Sequence, residues 1–262
     1  MFDAYDLHVH TLFSDGQRDL DEVLRTLVDL GVEVVGLADH VFPGAVYKHE
    51  GVGLTTCYST RRLRYRKDVI RLYDRKYSEI MVLNGAEVDV YPHGGLTLPR
   101  GTPPSFFDYL MVAKHHTLPK PVNLFSGNPG VERWLWRHSP RLRLNKRLWF
   151  KGLHAAFRRF HPQIFAHPQE GMPKWLERRD FEQLAALCVR YGVALELNHF
   201  PEEDLGELLE VARDRGVKFS IGSDFHGFRA DVAGQLAHSR EMAALARRRG
   251  LELLDPRDFA RG

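Results

Sequence analysis

Histidines and carboxylates recur along the chain in the combinations that bind divalent metal ions. His8 and His10 are two residues apart near the start of the sequence, and Asp224 and His226 repeat this spacing near its end. Side chains at positions i and i+2 of a β-strand point to the same side, so each pair could offer two ligands to one site. Five further candidates stand between the pairs: Asp15, His40, Glu87, His115 and His167.

These residue types favour particular metals and a particular chemistry. Neutral imidazole and carboxylate oxygen suit zinc, manganese and iron, and the absence of thiolate candidates argues against a structural cysteine-rich zinc site. Nine ligands exceed what one ion can hold, so we expect two or three ions, with Glu87 as the best candidate to bridge two of them. Closely spaced ions stabilise both the attacking and the leaving oxygen of an in-line displacement, and they acidify a bound water to supply hydroxide. Hydrolysis of a phosphate ester needs these effects most, because its substrate brings negative charge.

The elements that must position these ligands are seven short apolar strands that alternate with amphipathic helices. The strands are predicted over residues 5–10, 32–38, 81–87, 109–113, 163–167, 193–198 and 218–222. Helices are predicted over 19–30, 181–191, 204–215 and 232–249, each with apolar residues at one-face spacing. Gly31, Gly192 and Gly216 follow helical patterns, where a C-terminal cap needs a positive φ. This repetition is typical of βα units around a parallel sheet.

A barrel explains the pattern better than an open nucleotide-binding sheet. The sequence contains neither a Walker-type nor a GxGxxG loop. The ligand candidates stand at the ends of six of the seven predicted strands. In a βα barrel the C-terminal ends of the strands lie on one face, where active sites are built. Without a break in composition, we expect residues 1–262 to form one α/β barrel domain.

Composition limits the class of protein further. The 262 residues are 44% hydrophobic and 27% charged, which fits a globular protein with a sizeable core and excludes collagen-like and disordered chains. Two cysteines, Cys57 and Cys188, cannot build a disulfide framework. We see no secretory signal and no apolar run long enough for a membrane span. We therefore expect a cytoplasmic protein that does not bind membranes, and no feature predicts its oligomeric state.

Two segments are strongly basic. Residues 58–77 contain eight Lys or Arg against two Asp or Glu, and residues 119–162 contain ten against one. This distribution indicates an anionic partner near the segments, although a solvated helix face would have the same composition. Residues 117–162 also interrupt the regular alternation, and Pro140 within them should stop or restart a helix. We interpret this stretch as an enlarged basic and aromatic helical connection near the mouth or flank of the barrel.

The ordered motifs resemble those of the polymerase-and-histidinol-phosphatase (PHP) superfamily. The resemblance runs from about residue 5 to about residue 235, through His8-Val9-His10-Thr11, Ser14-Asp15-Gly16, Ala38-Asp39-His40, Glu87, His115, His167 and Gly222-Ser223-Asp224-Phe225-His226. It implies a distorted (β/α)7 TIM-like barrel with a two- or three-metal site at the C-terminal ends of the strands.

The resemblance also implies roles for individual residues. One ion would be held by His8, His10, Glu87 and Asp224, a second by Glu87, His115 and His167, and a third by Asp15, His40 and His226. The implied activity is that of a metal-dependent phosphoric-ester hydrolase, with His8, His10, Glu87, Asp224 and His226 at the reacting centre. Glu87-Val88-Asp89 and the block before His115 resemble the histidinol-phosphatase branch, whereas Lys114 and residues 117–162 depart from it.

Three functions follow as hypotheses. The first is hydrolysis of a small phosphomonoester similar to histidinol phosphate by metal-bound hydroxide. Arg229 could then clamp a phosphate oxygen, Lys114 could supply a point charge, and His199 could line the site.

The second hypothesis is a nuclease or oligonucleotide phosphodiesterase that uses the same ions. Four aromatic residues among the basic residues could stack bases, although we favour the interpretation that they pack the extra helices: Trp134, Trp136, Trp149 and Phe150. The third is a non-catalytic domain that binds a phosphoryl ligand. It predicts the loss of a metal ligand, and none of the nine is missing.

Overall fold

Seven parallel strands form the centre of the fold in the computed structural model, which describes residues 5–41, 48–49, 52–53, 59–114, 140–168, 176–198, 202–227 and 231–261. The strands within these residues, numbered in chain order, are β1 (Tyr5–Val9), β2 (Val34–Leu37), β3 (Lys48–His49), β4 (Val52–Gly53), β5 (Met81–Asp89), β6 (Tyr109–Ala113), β7 (Ile164–Phe165), β8 (Ala194–Leu197) and β9 (Phe219–Ile221). The short strands β3 and β4 form a separate antiparallel pair. The other seven coincide with the seven predicted strands.

These seven strands form a nearly closed barrel. Their order is β1-β2-β5-β6-β7-β8-β9, and every neighbouring pair is parallel. The sheet returns to its first strand through the segment after β9, where the backbone N–H of His10 donates to the carbonyl of Phe225 at 2.9 Å. A register irregularity between Asp6 and Val9 distorts β1. The predicted distorted (β/α)7 barrel is confirmed.

Among the described residues, six α-helices connect the strands or flank them. They are α1 (Leu20–Asp29), α2 (Thr60–Lys76), α3 (Pro140–Phe160), α4 (Arg178–Tyr191), α5 (Glu202–Asp214) and α6 (Val232–Arg249). The four predicted helices are α1, α4, α5 and α6. Gly31, Gly192 and Gly216 have φ values of 71°, 67° and 74° after their helices, as the capping pattern predicts. Short 3-10 turns span Pro104–Phe106 and Pro256–Arg261.

Helix α3 packs its aromatic residues against the barrel. It begins at Pro140, a position where proline costs no helical hydrogen bond. Trp149, Phe150 and Phe157 are buried, and the Trp149 and Phe157 rings lie 6.0 and 6.1 Å from the ring of Phe165 in β7. The packing interpretation is therefore correct for Trp149 and Phe150, and base stacking on these two residues is wrong.

Some sequence predictions lie outside the described residues. Residues 117–139 of the predicted connection are among these, and they include Trp134 and Trp136. The single-domain organisation over residues 1–262 stays a prediction. Among the helices that the structure describes, we find none with the length and apolar character that crossing a membrane requires.

Candidate metal centre

The first ligand pair comes from the end of β1. His8 lies within the strand and His10 directly after it, and both side chains are completely buried. Their alternation along the strand turns both rings to the barrel interior, with ring centroids 5.0 Å apart. The following turn brings the Asp15 carboxylate back to within 3.2 Å of His10 Nδ1.

The described residues bring these ligands together with others from the same face of the barrel. They form three overlapping groups, and within each group the ligand atoms lie within 4.8 Å of one another. The groups are His10, Asp15, His40 and His226; His8, Glu87 and His167; and His8, His10 and Asp224. We refer to them as the Asp15 group, the Glu87 group and the Asp224 group.

Glu87 stands at the centre of the cluster. It lies near the end of β5 with no exposed side-chain surface. Its Oε2 is 2.7 Å from His40 Nδ1, 3.4 Å from His8 Nε2 and 3.6 Å from His10 Nε2. Its other oxygen, Oε1, is 2.7 Å from His167 Nε2. One carboxylate thus faces four imidazoles in two directions, which is the geometry of a bridging ligand.

The two aspartates close the cluster on its other sides. Asp224 Oδ1 is 3.3 Å from His8 Nε2 and 3.2 Å from His10 Nε2. Asp15 Oδ2 is 3.1 Å from His226 Nε2 and 3.4 Å from His40 Nε2. Every imidazole of the cluster therefore faces at least one carboxylate.

Eight of the nine predicted metal ligands belong to this cluster, while His115 lies outside the described residues. The grouping differs in detail from the sets that the resemblance implies. His10 also lies with the Asp15 group, and His8 also lies with the Glu87 group. His8 and His10 are therefore shared between neighbouring groups, as Glu87 is in the implied sets.

Neighbouring carboxylates raise the pKa values of His8 and His167. Burial alone would lower the pKa of His8, but Glu196, Asp224 and Glu87 raise it well above its ordinary value. Burial likewise opposes the charge on His167, and its contact with Glu87 nevertheless raises the pKa to about 9. Burial would raise the pKa of Asp224, yet His8 and His226 hold it well below its usual range. These carboxylates therefore favour the protonated forms of His8 and His167.

Divalent metal ions fit this set of donors. The Nε2 atoms of His8 and His10 are buried and form no hydrogen bond with the described residues. A buried polar atom without a hydrogen bond needs another partner. An ion that replaces the shared protons would satisfy imidazole nitrogen and carboxylate oxygen together, and first-row divalent ions accept both.

Glu196 supports the cluster from behind, and sequence reasoning missed it. Its Oε1 lies 2.7 Å from His8 Nδ1, and its Oε2 accepts a hydrogen bond of 2.6 Å from the backbone N–H of His167. A carboxylate on Nδ1 turns Nε2 of His8 toward the centre. A Cβ on Gly222 would clash with Oε1 of this carboxylate, which explains the glycine of the Gly222-Ser223-Asp224 motif. The signal in the sequence was a glutamate inside an otherwise apolar strand.

Two ligand candidates have unusual backbone conformations. His167, two residues after β7, has a φ of 23°, and Asp224, three residues after β9, has a φ of 53°. Non-glycine residues rarely adopt positive φ, and such strain concentrates at functional sites. In both cases the chain turns sharply after the strand and brings the side chain into the cluster.

Lys114 is the one predicted substrate-binding residue that the structure describes. It follows β6 and is buried. Burial lowers its pKa to about 8, while the negative charge of Asp89 opposes that change. Asp89 is two residues after Glu87 in β5 and is also buried. His199 and Arg229 lie outside the described residues.

The fold and the cluster together define an α/β barrel with a candidate polynuclear metal centre. No family model matches the chain. In an alignment of 228 positions that covers 84% of the chain, the sequence is 25% identical to the DNA polymerase/3'-5' exonuclease PolX of Bacillus subtilis. The chain spans about a third of the length of that curated relative, 34%.

A solved structure agrees over nearly the whole chain. Histidinol phosphate phosphatase from Lactococcus lactis, in complex with zinc, L-histidinol and phosphate, superposes with a TM-score of 0.63 at 14% identity. The match covers 96% of this chain and 95% of that one, and it shows a shared fold. The sequence similarity to PolX and the fold shared with the phosphatase agree with the resemblance of the ordered motifs to the PHP superfamily.

Proposed function

We propose that the chain is a metal-dependent phosphoesterase that hydrolyses a small phosphomonoester similar to histidinol phosphate. The overlap of three ligand groups in one buried cluster carries this proposal. Two or three divalent ions bound there, of manganese, iron or zinc, would acidify a water and neutralise the charge of a phosphate. The remaining chemistry belongs to the residues of the chain.

Burial within the cluster indicates where a substrate would enter. The side chains of His8, His10 and Glu87 have no exposed surface, whereas those of Asp224 and His226 are 24% and 15% exposed. A phosphate group would therefore approach from the side of Asp224 and His226. These five residues would hold the ions that contact the reacting group, with His40, Asp15, His167 and His115 completing the ligand sets.

Lys114 would supply positive charge to the bound phosphate. It follows the same strand end as the predicted ligand His115, and the negative charge of Asp89 favours the protonated form of its ammonium group. Arg229 would clamp a phosphate oxygen in the segment after His226, and His199 would line the site after β8. The Lactococcus lactis structure, whose bound molecules include L-histidinol and phosphate, supports a small phosphorylated substrate.

A nuclease is the second candidate, and two observations favour it. The curated relative is named as a polymerase and 3'-5' exonuclease. In addition, the exposed surface of α2 carries a row of arginines: Arg61, Arg64, Arg71 and Arg75. Such a face suits a phosphodiester backbone. The burial of Trp149 and Phe150 removes two of the aromatic residues that could have stacked bases.

One experiment tests both candidates. The purified protein is incubated with Mn²⁺ and either L-histidinol phosphate or a short single-stranded oligonucleotide, and product release is measured. We expect a kcat/KM of at least about 10⁴ M⁻¹s⁻¹ for histidinol phosphate, the low end for ordinary enzymes. Rapid cleavage of the oligonucleotide with slow phosphate release would establish the nuclease instead.

A variant of the cluster tests the assignment of the site. Asp224→Asn should lower turnover at least about 10²-fold, because it removes a charge at the reacting centre, while the circular dichroism spectrum stays unchanged. Asp68→Asn, the same change on the exposed face of α2, should retain full activity. Wild-type turnover by Asp224→Asn would contradict the assignment.

A further inference from the structure

Arg66 of α2 is a buried cation beside the metal centre rather than part of the exposed basic face. Only 1% of its surface is accessible. Its Nε donates to Asp39 Oδ2 at 2.6 Å and its Nη1 donates to Asn84 Oδ1 at 2.7 Å, while Nη2 donates to the carbonyl of Leu37. The guanidinium therefore joins the end of β2 to the middle of β5, the two strands that position His40 and Glu87.

Asp39 transmits this contact to the loop that carries Asp15. It is fully buried and accepts hydrogen bonds from the backbone N–H of Thr11 at 2.8 Å and from the Thr11 hydroxyl at 2.9 Å. It also accepts a hydrogen bond of 2.7 Å from the hydroxyl of Ser14, which lies 3.3 Å from His10 Nδ1. The carboxylate of Asp39 thus fixes both ends of the turn between His10 and Asp15.

The same helix contacts this turn at a second place. Arg62, one helical turn before Arg66, donates from Nη2 to the carbonyl of Phe13 at 3.1 Å. The ring of Tyr65 packs edge-on against the ring of Phe13 with centroids 5.7 Å apart. The first half of α2 therefore holds residues 11–15 through a buried ion pair, a carbonyl contact and an aromatic contact.

We propose that Arg66 is a positioning residue that acts through Asp39 to hold the 11–15 loop, so that Asp15 completes the Asp15 group with His10, His40 and His226. This inference rests on the metal centre of the proposed function. It assigns a selective effect, because the Glu87 group is anchored from the opposite side of the barrel by Glu196. Loosening the 11–15 loop should weaken the binding of one ion and leave the binding of another unchanged.

Arg66→Lys is the main test variant. It keeps the charge beside Asp39, so the fold should persist, but one ammonium cannot reproduce the planar fork that reaches Asp39, Asn84 and Leu37 together. Zinc bound per chain is measured across a series of buffered free Zn²⁺ concentrations. We expect one equivalent to bind 10- to 100-fold more weakly, about the effect of losing an outer-shell contact, with the other equivalents unchanged. Arg64→Met, an exposed change two residues away, should bind like the wild type.

Pairwise combinations identify which ion is affected. Asp15→Asn should weaken the same equivalent, so adding Arg66→Lys to it should cause little further loss. His167→Gln should weaken a different equivalent, so its effect and that of Arg66→Lys should be additive. Arg66→Met, if it folds, should exceed Arg66→Lys in its effect on that one equivalent.

The outcomes separate this inference from the proposed function. Wild-type zinc affinity in Arg66→Lys, or equal weakening of every equivalent, would overturn a selective positioning role. Absence of zinc binding by the wild-type protein would instead overturn the metal centre itself. Loss of one equivalent at unchanged circular dichroism would support the inference, because a purely structural residue would weaken all sites together.

Discussion

Two buried polar clusters lie side by side at the C-terminal end of the barrel, and they differ in how their charges are satisfied. In the first, Arg66, Asp39 and Asn84 pair with one another and with the backbone. In the second, imidazoles and carboxylates crowd together, and the Nε2 atoms of His8 and His10 form no hydrogen bond with the described residues. Both clusters are equally hidden from solvent at their centres.

This difference distinguishes a structural cluster, around Arg66, from a functional one, around the histidines. Removing charge from water costs several kcal/mol per ion unless good partners replace the lost hydration. In the Arg66 cluster, the buried charges are compensated by hydrogen bonds within the protein, so the cluster can stabilise the fold without a ligand. The histidine cluster has buried nitrogen atoms without a hydrogen bond among the described residues, and bound divalent ions would supply the partners that these atoms need. Buried polar groups that lack sufficient partners within the protein therefore distinguish the functional cluster from the structural one.

Removing the metal should give the largest effect, because only the second cluster depends on it. At a free metal concentration of 1,000 times Kd, one bound ion stabilises the folded state by about 4 kcal/mol. Urea unfolding of the wild-type protein with excess Zn²⁺ and with a chelator should differ by at least this amount. Asp15→Asn, which weakens one group, should show a smaller difference. Coincident unfolding curves with zinc and with chelator would contradict the conclusion that the histidine cluster depends on bound metal.

Much of this arrangement could be predicted from the sequence because it is local. Short apolar strands, helix faces and glycine caps are set by residues close in sequence, and all seven strands were predicted within a few residues. The ligands could be predicted because a parallel barrel brings all its strand ends to one face. Knowing that His8 and Glu87 end different strands was enough to place them together.

The supporting residues could not be predicted because their roles depend on distant partners. Arg66 lies 27 residues from Asp39 in sequence and shares the buried face of α2 with Leu63 and Ile70. In the sequence it is one of eight cations in a basic segment. Glu196 likewise gains its role from His8, which is 188 residues away. Only the packed structure shows which charge in a series is buried.

The pH dependence of the metal-free protein should give a smaller effect, since it acts through shared protons. The pKa of His167 is raised from 6.5 to about 9 in the folded protein. Because the folded state binds this proton more tightly, the contribution is fully present below pH 6.5 and is lost as the pH rises toward 9. The Tm of the chelated protein should therefore fall over this range. With saturating Zn²⁺ in place of the proton, the fall should be reduced, and an equal fall in both states would contradict the exchange of proton for metal.

Replacing Glu196 should give the smallest effect and the sharpest contrast with Arg66. Glu196→Gln keeps the shape and an acceptor for the His167 N–H, but it removes the negative charge beside His8 Nδ1. The loss of such an outer-shell carboxylate weakens metal affinity about 10- to 100-fold. The weakened equivalents should be those of the Glu87 and Asp224 groups, which share His8, whereas Arg66→Lys should affect the Asp15 group. Glu210→Gln, a half-exposed change on α5, is the matched control. Competition with a chelator of known affinity measures each equivalent, and a loss confined to the Asp15 group would mean that Glu196 and Arg66 do not support separate halves of the centre.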